Sequence, residues 1–193
     1  MRGVITEMRS RYVRAWRRFA RAERGATAVE FALIAMPFFA LLFGTLQMGL
    51  LFMTSTTIES AAMTAARQVR TGQLQNAGNN TSQGFKDLIC GDMTWLTYDD
   101  CEHNVSIDVR TFGNFASITS TLPVKNGAID PTQLQFNSGT NCSIVMVRVF
   151  YPYTLFAPSF TPGLPDLGSN QKLITVAAAF RNENWGTTAC AGA

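Results

Sequence analysis

Charge is scarce in this chain and histidine nearly absent. Of 193 residues, 15% are charged and one is histidine, where a soluble domain carries roughly 25% charged residues. The four cysteines form no CxxC pair and His103 has no second imidazole to join it, so a zinc site is not expected. There is no phosphate-binding glycine loop and no nucleophile elbow. No third group recommends itself to complete a Ser or Cys nucleophile around His103, which reads as a surface or strand-edge histidine. The sequence therefore supports no enzymatic function, no cofactor and no metal. The longest gap in charge covers residues 31–58, a run of 28.

A membrane-spanning helix needs about 20 apolar residues, and FALIAMPFFALLFGTLQMGLLFM supplies them. A cleaved secretory signal has a shorter apolar core of about 7–15 residues. Here the apolar run is followed by TSTTIESAAMTAARQVR, which still reads as helix. Ile58, Ala61, Ala62, Ala65, Ala66 and Val69 recur at helical spacing. The pattern predicts one helix over residues 26–70, roughly 68 Å long at 1.5 Å per residue. Gly72 is the expected stop, with Arg67 and Arg70 complementing the dipole in the last turn. Pro37 is expected to kink the helix or cost it one backbone bond, which spanning helices tolerate. Gly44, Thr45 and Gly49 form either a close helix-contact face or merely the glycine common in such spans.

The overall charge of +3 hides an asymmetry. Residues 1–25 hold eight arginines against Glu7 and Glu23, a net of +6, and the remainder carries −3. Basic side chains placed directly before an apolar run point to the cytoplasmic face of a membrane rather than to nucleic acid. The far end of the run meets Glu59 and no base until Arg67. The body beyond residue 60 is then exported.

Cys90, Cys101, Cys142 and Cys190 all lie on that exported side, and an even number in an oxidising compartment suggests two bridges. Three pairings are open. The favoured one joins Cys90 to Cys101 around an acidic loop and Cys142, at a strand start, to Cys190. The body itself reads as a polar linker over 71–83, a short helix in GFKDLICGDM, and three strands near 103–112, 142–151 and 172–181. In the first strand Val105, Ile107 and Val109 face one way and Ser106, Asp108 and Arg110 the other, the mark of a half-buried strand. Residues 113–141 are turn-rich. The sheet is expected to pack against the helices, and its small size gives the disulfides a reason to exist. Asp99, Asp100 and Glu102 lack the ordered spacing of a calcium loop and read as a solvated cluster. Tyr151, Tyr153, Phe156 and Phe160 form either a partner-binding surface or, as the favoured reading, a plug over the sheet.

Glu30 stands within the first turns of the apolar helix, where an ionisable side chain is costly without a partner. It sits either at headgroup depth or near the positive end of the helix dipole. The surrounding string is RGATAVEFALIAMP: a basic leader, Gly25, then Ala26, with Glu30 fifth from Ala26 and Phe31 next. This resembles the type IV prepilin processing motif, in which a membrane aspartyl peptidase cuts after the glycine. A glycine lets the backbone enter a tight cleft without a side-chain clash. Cleavage frees a cationic amine, and a carboxylate on a neighbouring subunit can neutralise it in low dielectric, setting the axial register.

The longer match narrows the resemblance. Gly25, Glu30, Phe31, Pro37, Gly44, Ala61, Ala62, Ala65, Ala66 and Arg67 stand at places that fit the TadE-like family, pseudopilins of the Tad tight-adherence system that builds Flp pili. VAAAFRNENW, residues 176–185, resembles that family's closing strand, with Asn184 where the family more often has proline. The resemblance implies an α+β, type IV pilin-like fold: a long N-terminal transmembrane helix followed by a small antiparallel sheet domain with disulfides. It implies a leader over 1–25, a helix over 26–71 and an exported domain over 72–193. It further implies cleavage between Gly25 and Ala26, helix register through Glu30 and Phe31, and a single-pass protein of the bacterial inner membrane with a periplasmic domain. The implied partners are a prepilin peptidase, other pilins or pseudopilins, the Tad assembly platform and the lipid bilayer, with no nucleic acid. The alternative is a membrane-anchored scaffold or adhesin that never enters a pilus.

Overall fold

The computed structural model describes residues 23–93, 98–119, 121–186 and 190; the leader arginines before residue 23 lie outside them. The chain divides into two compact units, residues 1–46 and 47–193. One helix, α1 (Glu23–Arg70), contributes its first part to one unit and its second to the other. It is an α+β protein with a long apolar N-terminal helix and a small antiparallel sheet domain.

In the first unit α1 is apolar on every side. Val29, Phe31, Leu33, Ile34, Met36, Phe38 and Leu41 are all exposed. Pro37 sits inside the helix, which continues through it. With no N–H it cannot donate to the carbonyl four residues back, at Leu33.

The second unit is built on three strands in the order β1 (Ser106–Phe112), β4 (Ile144–Thr154), β5 (Gln171–Arg181), antiparallel throughout. A two-residue ribbon, β2 (Val124–Lys125) and β3 (Ala128–Ile129), turns through Asn126 and Gly127, both at positive φ. β4 is buried from Ile144 to Tyr151 because both faces are covered. Strand alternation sends Val145, Val147, Val149 and Tyr151 into one core with Ile107, Val109, Ile174 and Val176. The wall of that core is the second half of α1, where Ile58, Ala61, Ala62, Ala65, Ala66 and Val69 are buried as their spacing predicts. On the opposite face Phe150, Leu167 and Leu173 pack with Val124, Ile129 and Leu134.

Three short helices follow α1: α2 (Gln73–Asn76), α3 (Ser82–Gly91) and α4 (Tyr98–Asn104). The linker expected over 71–83 is thus partly helical. Leu74 anchors α2 in the core, and Thr81 starts α3 by accepting a 3.0 Å bond from the Gly84 N–H. α4 replaces the acidic loop expected around Cys101, and β1 begins at Ser106 rather than His103. Disulfides join Cys90 to Cys101, tying α3 to α4, and Cys142 to Cys190.

Candidate functional site

Gly25, Ala26, Glu30 and Phe31 all lie on α1. Glu30 and Phe31 are exposed one after the other on an apolar surface. The helix is long and apolar enough to cross a membrane, and none of its most apolar stretch is buried within the chain. Such side chains each gain about 1.5–3 kcal/mol when removed from water. Hydroxyls along α1 are satisfied by the helix itself: Thr45 donates to the Leu41 carbonyl at 2.7 Å and Thr54 to that of Leu50 at 2.9 Å. These local bonds suit a low-dielectric surround, since they need no external partner.

Gln47 is the residue that sequence reading passed over. It is fully buried, although it interrupts an uncharged apolar run. Its Oε1 accepts the Ala157 N–H at 2.7 Å and its Nε2 donates to the Thr161 hydroxyl. A lone amide in that run was the available signal; its partners stand 110 and 114 residues away. The aromatic segment that meets it divides. Tyr151 is buried in the core and Leu155 is buried as well, whereas Phe156 and Phe160 remain exposed. The plug expected over the sheet is thus only half formed.

The C-terminal end of α1 is held by the closing segment. Glu183 accepts an ion pair from Arg70 Nε at 3.3 Å, and its N–H donates to the Arg70 carbonyl at 2.9 Å. Asn182 is buried and donates through Nδ2 to the carbonyls of Ser138 and Thr140, both at 2.9 Å. Residues 181–185 therefore form a clasp on the turn after α1.

Asp108 and Arg148 face each other across β1 and β4. Their ion pair is 2.6 Å long and fully enclosed. Asp108 also accepts from Arg110 Nε and the Gln135 N–H, each at 2.9 Å, and Arg148 donates to the Thr121 carbonyl at 2.6 Å. The polar face of β1 is thus not solvated, as a half-buried strand would have it; segments 121–136 cover it. A buried pair in which each guanidinium nitrogen has a partner is a structural device rather than a reactive one.

The acidic cluster disperses. Asp99 meets His103, Asp100 accepts from the Tyr151 hydroxyl at 2.9 Å, and Glu102 accepts from Gln83 at 3.0 Å. Among the described residues no three carboxylate, cysteine or histidine side chains converge as metal ligands. The hydrogen bond to the Asp99 carbonyl, with the Asp99 charge, raises the His103 pKa. Burial, then the Asp100 contact, pushes the Tyr151 phenol well above its ordinary value.

In comparison with known proteins, residues 25–67 fit the family model described as TadE-like protein. The match begins at Gly25 and ends at Arg67, so it covers the helix and not the sheet. No curated protein and no solved structure matches the chain.

Proposed function

We propose that this TadE-like chain is a pseudopilin that takes part in assembling a Tad-type surface pilus. The observation that carries the reading is a coincidence of boundaries. The family match starts at Gly25, the residue after which the processing motif would be cut, and runs along a helix whose apolar side chains are uncovered. In this reading the arginine-rich leader stays in the cytoplasm, α1 spans the inner membrane, and the disulfide-bonded domain faces the periplasm.

A prepilin peptidase removes residues 1–25, leaving Ala26 with a free amine. Glu30 lies four residues further, about 6 Å along the helix axis. Exposed on an apolar surface, its carboxylate can meet the amine of a neighbouring subunit, and each charge removes the other's desolvation cost. Association then runs through the N-terminal half of α1 and involves other pilins or pseudopilins and the assembly platform.

Intact mass and N-terminal sequencing of protein from native membranes test the reading. In cells with an active prepilin peptidase the mature chain should begin at Ala26. A chain still beginning at Met1 would leave the anchored scaffold or adhesin as the function.

A further inference from the structure

We propose that the loop over residues 155–164 is a second membrane contact, pinned to α1 at Gln47 and immersed in the periplasmic leaflet with Phe156 and Phe160 against lipid. This rests on α1 spanning a membrane. If the hydrocarbon begins near Phe31, Gln47 lies 16 residues further, roughly 24 Å along the axis. A hydrocarbon core is about 30 Å thick. Gln47 has therefore not left it, and an amide at that depth needs partners. The loop supplies them, through the Ala157 N–H and the Thr161 hydroxyl. Whatever depth Gln47 occupies, residues 157–161 share.

The loop is composed for that depth. No charged residue occurs from Val149 through Pro165. Irregular backbone survives at membrane depth only when its polar groups are matched. Pro158 and Pro162 have no N–H to match. Five of the eight N–H groups of residues 155–164 are matched: that of Ala157 by Gln47, and those of Leu155, Phe160, Thr161 and Leu164 by the carbonyls of Asn170, Ala157, Pro158 and Thr161 at 3.1–3.2 Å. Those of Phe156, Ser159 and Gly163 are not, which sets the loop at the edge of the hydrocarbon, within reach of headgroups and water, rather than in its middle. Phe156 is 52% and Phe160 46% exposed, beside a helix that still exposes Phe52 and Met53 past Gln47. The first charges met beyond this zone are Glu59 on α1 and the Asp166–Lys172 pair after the loop. An uncharged loop continuous with an uncharged helix surface fits lipid.

The test uses the full chain in phosphatidylethanolamine–phosphatidylglycerol vesicles. Its four native cysteines are disulfide-bonded, so a nitroxide attaches only at an introduced cysteine. Three variants are compared: Phe156→Cys, Ile34→Cys in the span, and Phe115→Cys, exposed elsewhere on the domain. Collisions with oxygen, which partitions into lipid, are measured against collisions with a water-soluble nickel chelate. The expected result is an oxygen-to-nickel ratio at Phe156 close to that at Ile34 and several-fold above that at Phe115. A ratio at Phe156 equal to that at Phe115, with Ile34 in lipid, overturns the loop contact and leaves the span intact. An aqueous Ile34 overturns the span and the inference with it. Shielding of Phe156 from both reagents means that protein, such as a second copy, covers the loop, and also overturns the proposal.

Discussion

The indole of Trp185 fills the space beside Gly72 that a side chain would need. A Cβ built on Gly72 falls 2.5 Å from Cδ2 of that ring, and Gly72 itself has φ +76°. The turn that ends α1 is therefore tied to the closing segment by a missing side chain. Gly72→Ala should lower the domain's stability by about 1–3 kcal/mol, combining left-handed strain with displacement of the ring. Gly78→Ala is the control, with φ +74° and open space around it. Urea unfolding in detergent should show Gly72→Ala costing more than Gly78→Ala; equal losses would mean that the indole contact contributes nothing.

Asp108 is enclosed with Arg148 and accepts four hydrogen bonds from Arg110, Gln135 and Arg148. Asp108→Ala strands the guanidinium, and breaking a buried pair in this way costs about 3–5 kcal/mol. The drop should appear as a lower denaturation midpoint with an unchanged slope. A loss below about 1 kcal/mol, the range of a surface pair, would remove the structural role given to the pair.

Alkaline pH should weaken the domain through Tyr151. The folded phenol titrates above its ordinary value near 10, first because it is buried and then because of Asp100. Between the two values the unfolded chain has released a proton that the folded chain keeps. The stabilisation is thus complete below pH 10 and falls as pH rises beyond it. Tyr153, raised by burial, adds in the same direction. Tyr151→Phe should flatten the slope of stability against pH above 10, at the cost of about 1 kcal/mol for the lost hydrogen bond at neutral pH. An unchanged slope in that variant assigns the alkaline loss elsewhere.

On the processing reading, Gly25→Phe should keep the leader attached, because the bulky side chain denies the backbone its close approach to the peptidase. Immunoblots of membranes should show only the longer species. Normal processing of Gly25→Phe would withdraw the motif argument.

Glu30→Ala should leave insertion intact, since it removes a charge from an apolar helix. On the same processing reading it should impair assembly, because the partner amine would be left unpaired at a cost of about 3 kcal/mol, roughly a hundredfold in an association constant. Co-purification with pilus components measures it. Unchanged incorporation would sink the register role.

The parts legible in the sequence were those set by local periodicity. The stripe from Ile58 to Val69 predicted which helix face is buried, because small apolar residues at three- and four-residue spacing can face only one neighbour. The strands announced themselves in the same way. What stayed hidden depends on distant partners. DDCEHN has weak helix propensity, yet it forms α4, where Cys101 is bonded to α3 and Asp100 to Tyr151. Asp108 looked solvated because its alternation was polar; Arg148, 40 residues on, makes that face interior. Gln47 was passed over for the same reason: its partners, Ala157 and Thr161, are distant in the chain. The family resemblance was legible where it lies on the helix, at residues 25–67.

The second half of α1 is one wall of the sheet's core. Anyone trimming the protein to a soluble fragment meets that fact directly. A fragment starting at residue 72 discards Ile58, Ala61, Ala62, Ala65, Ala66 and Val69, and leaves Val145, Val147 and Val149 facing water. One starting at residue 47 keeps the wall, along with Phe52 and Met53 exposed on its outer side. Solubility is then to be sought by changing those two side chains, together with Phe156 and Phe160, to polar ones, not by a shorter cut.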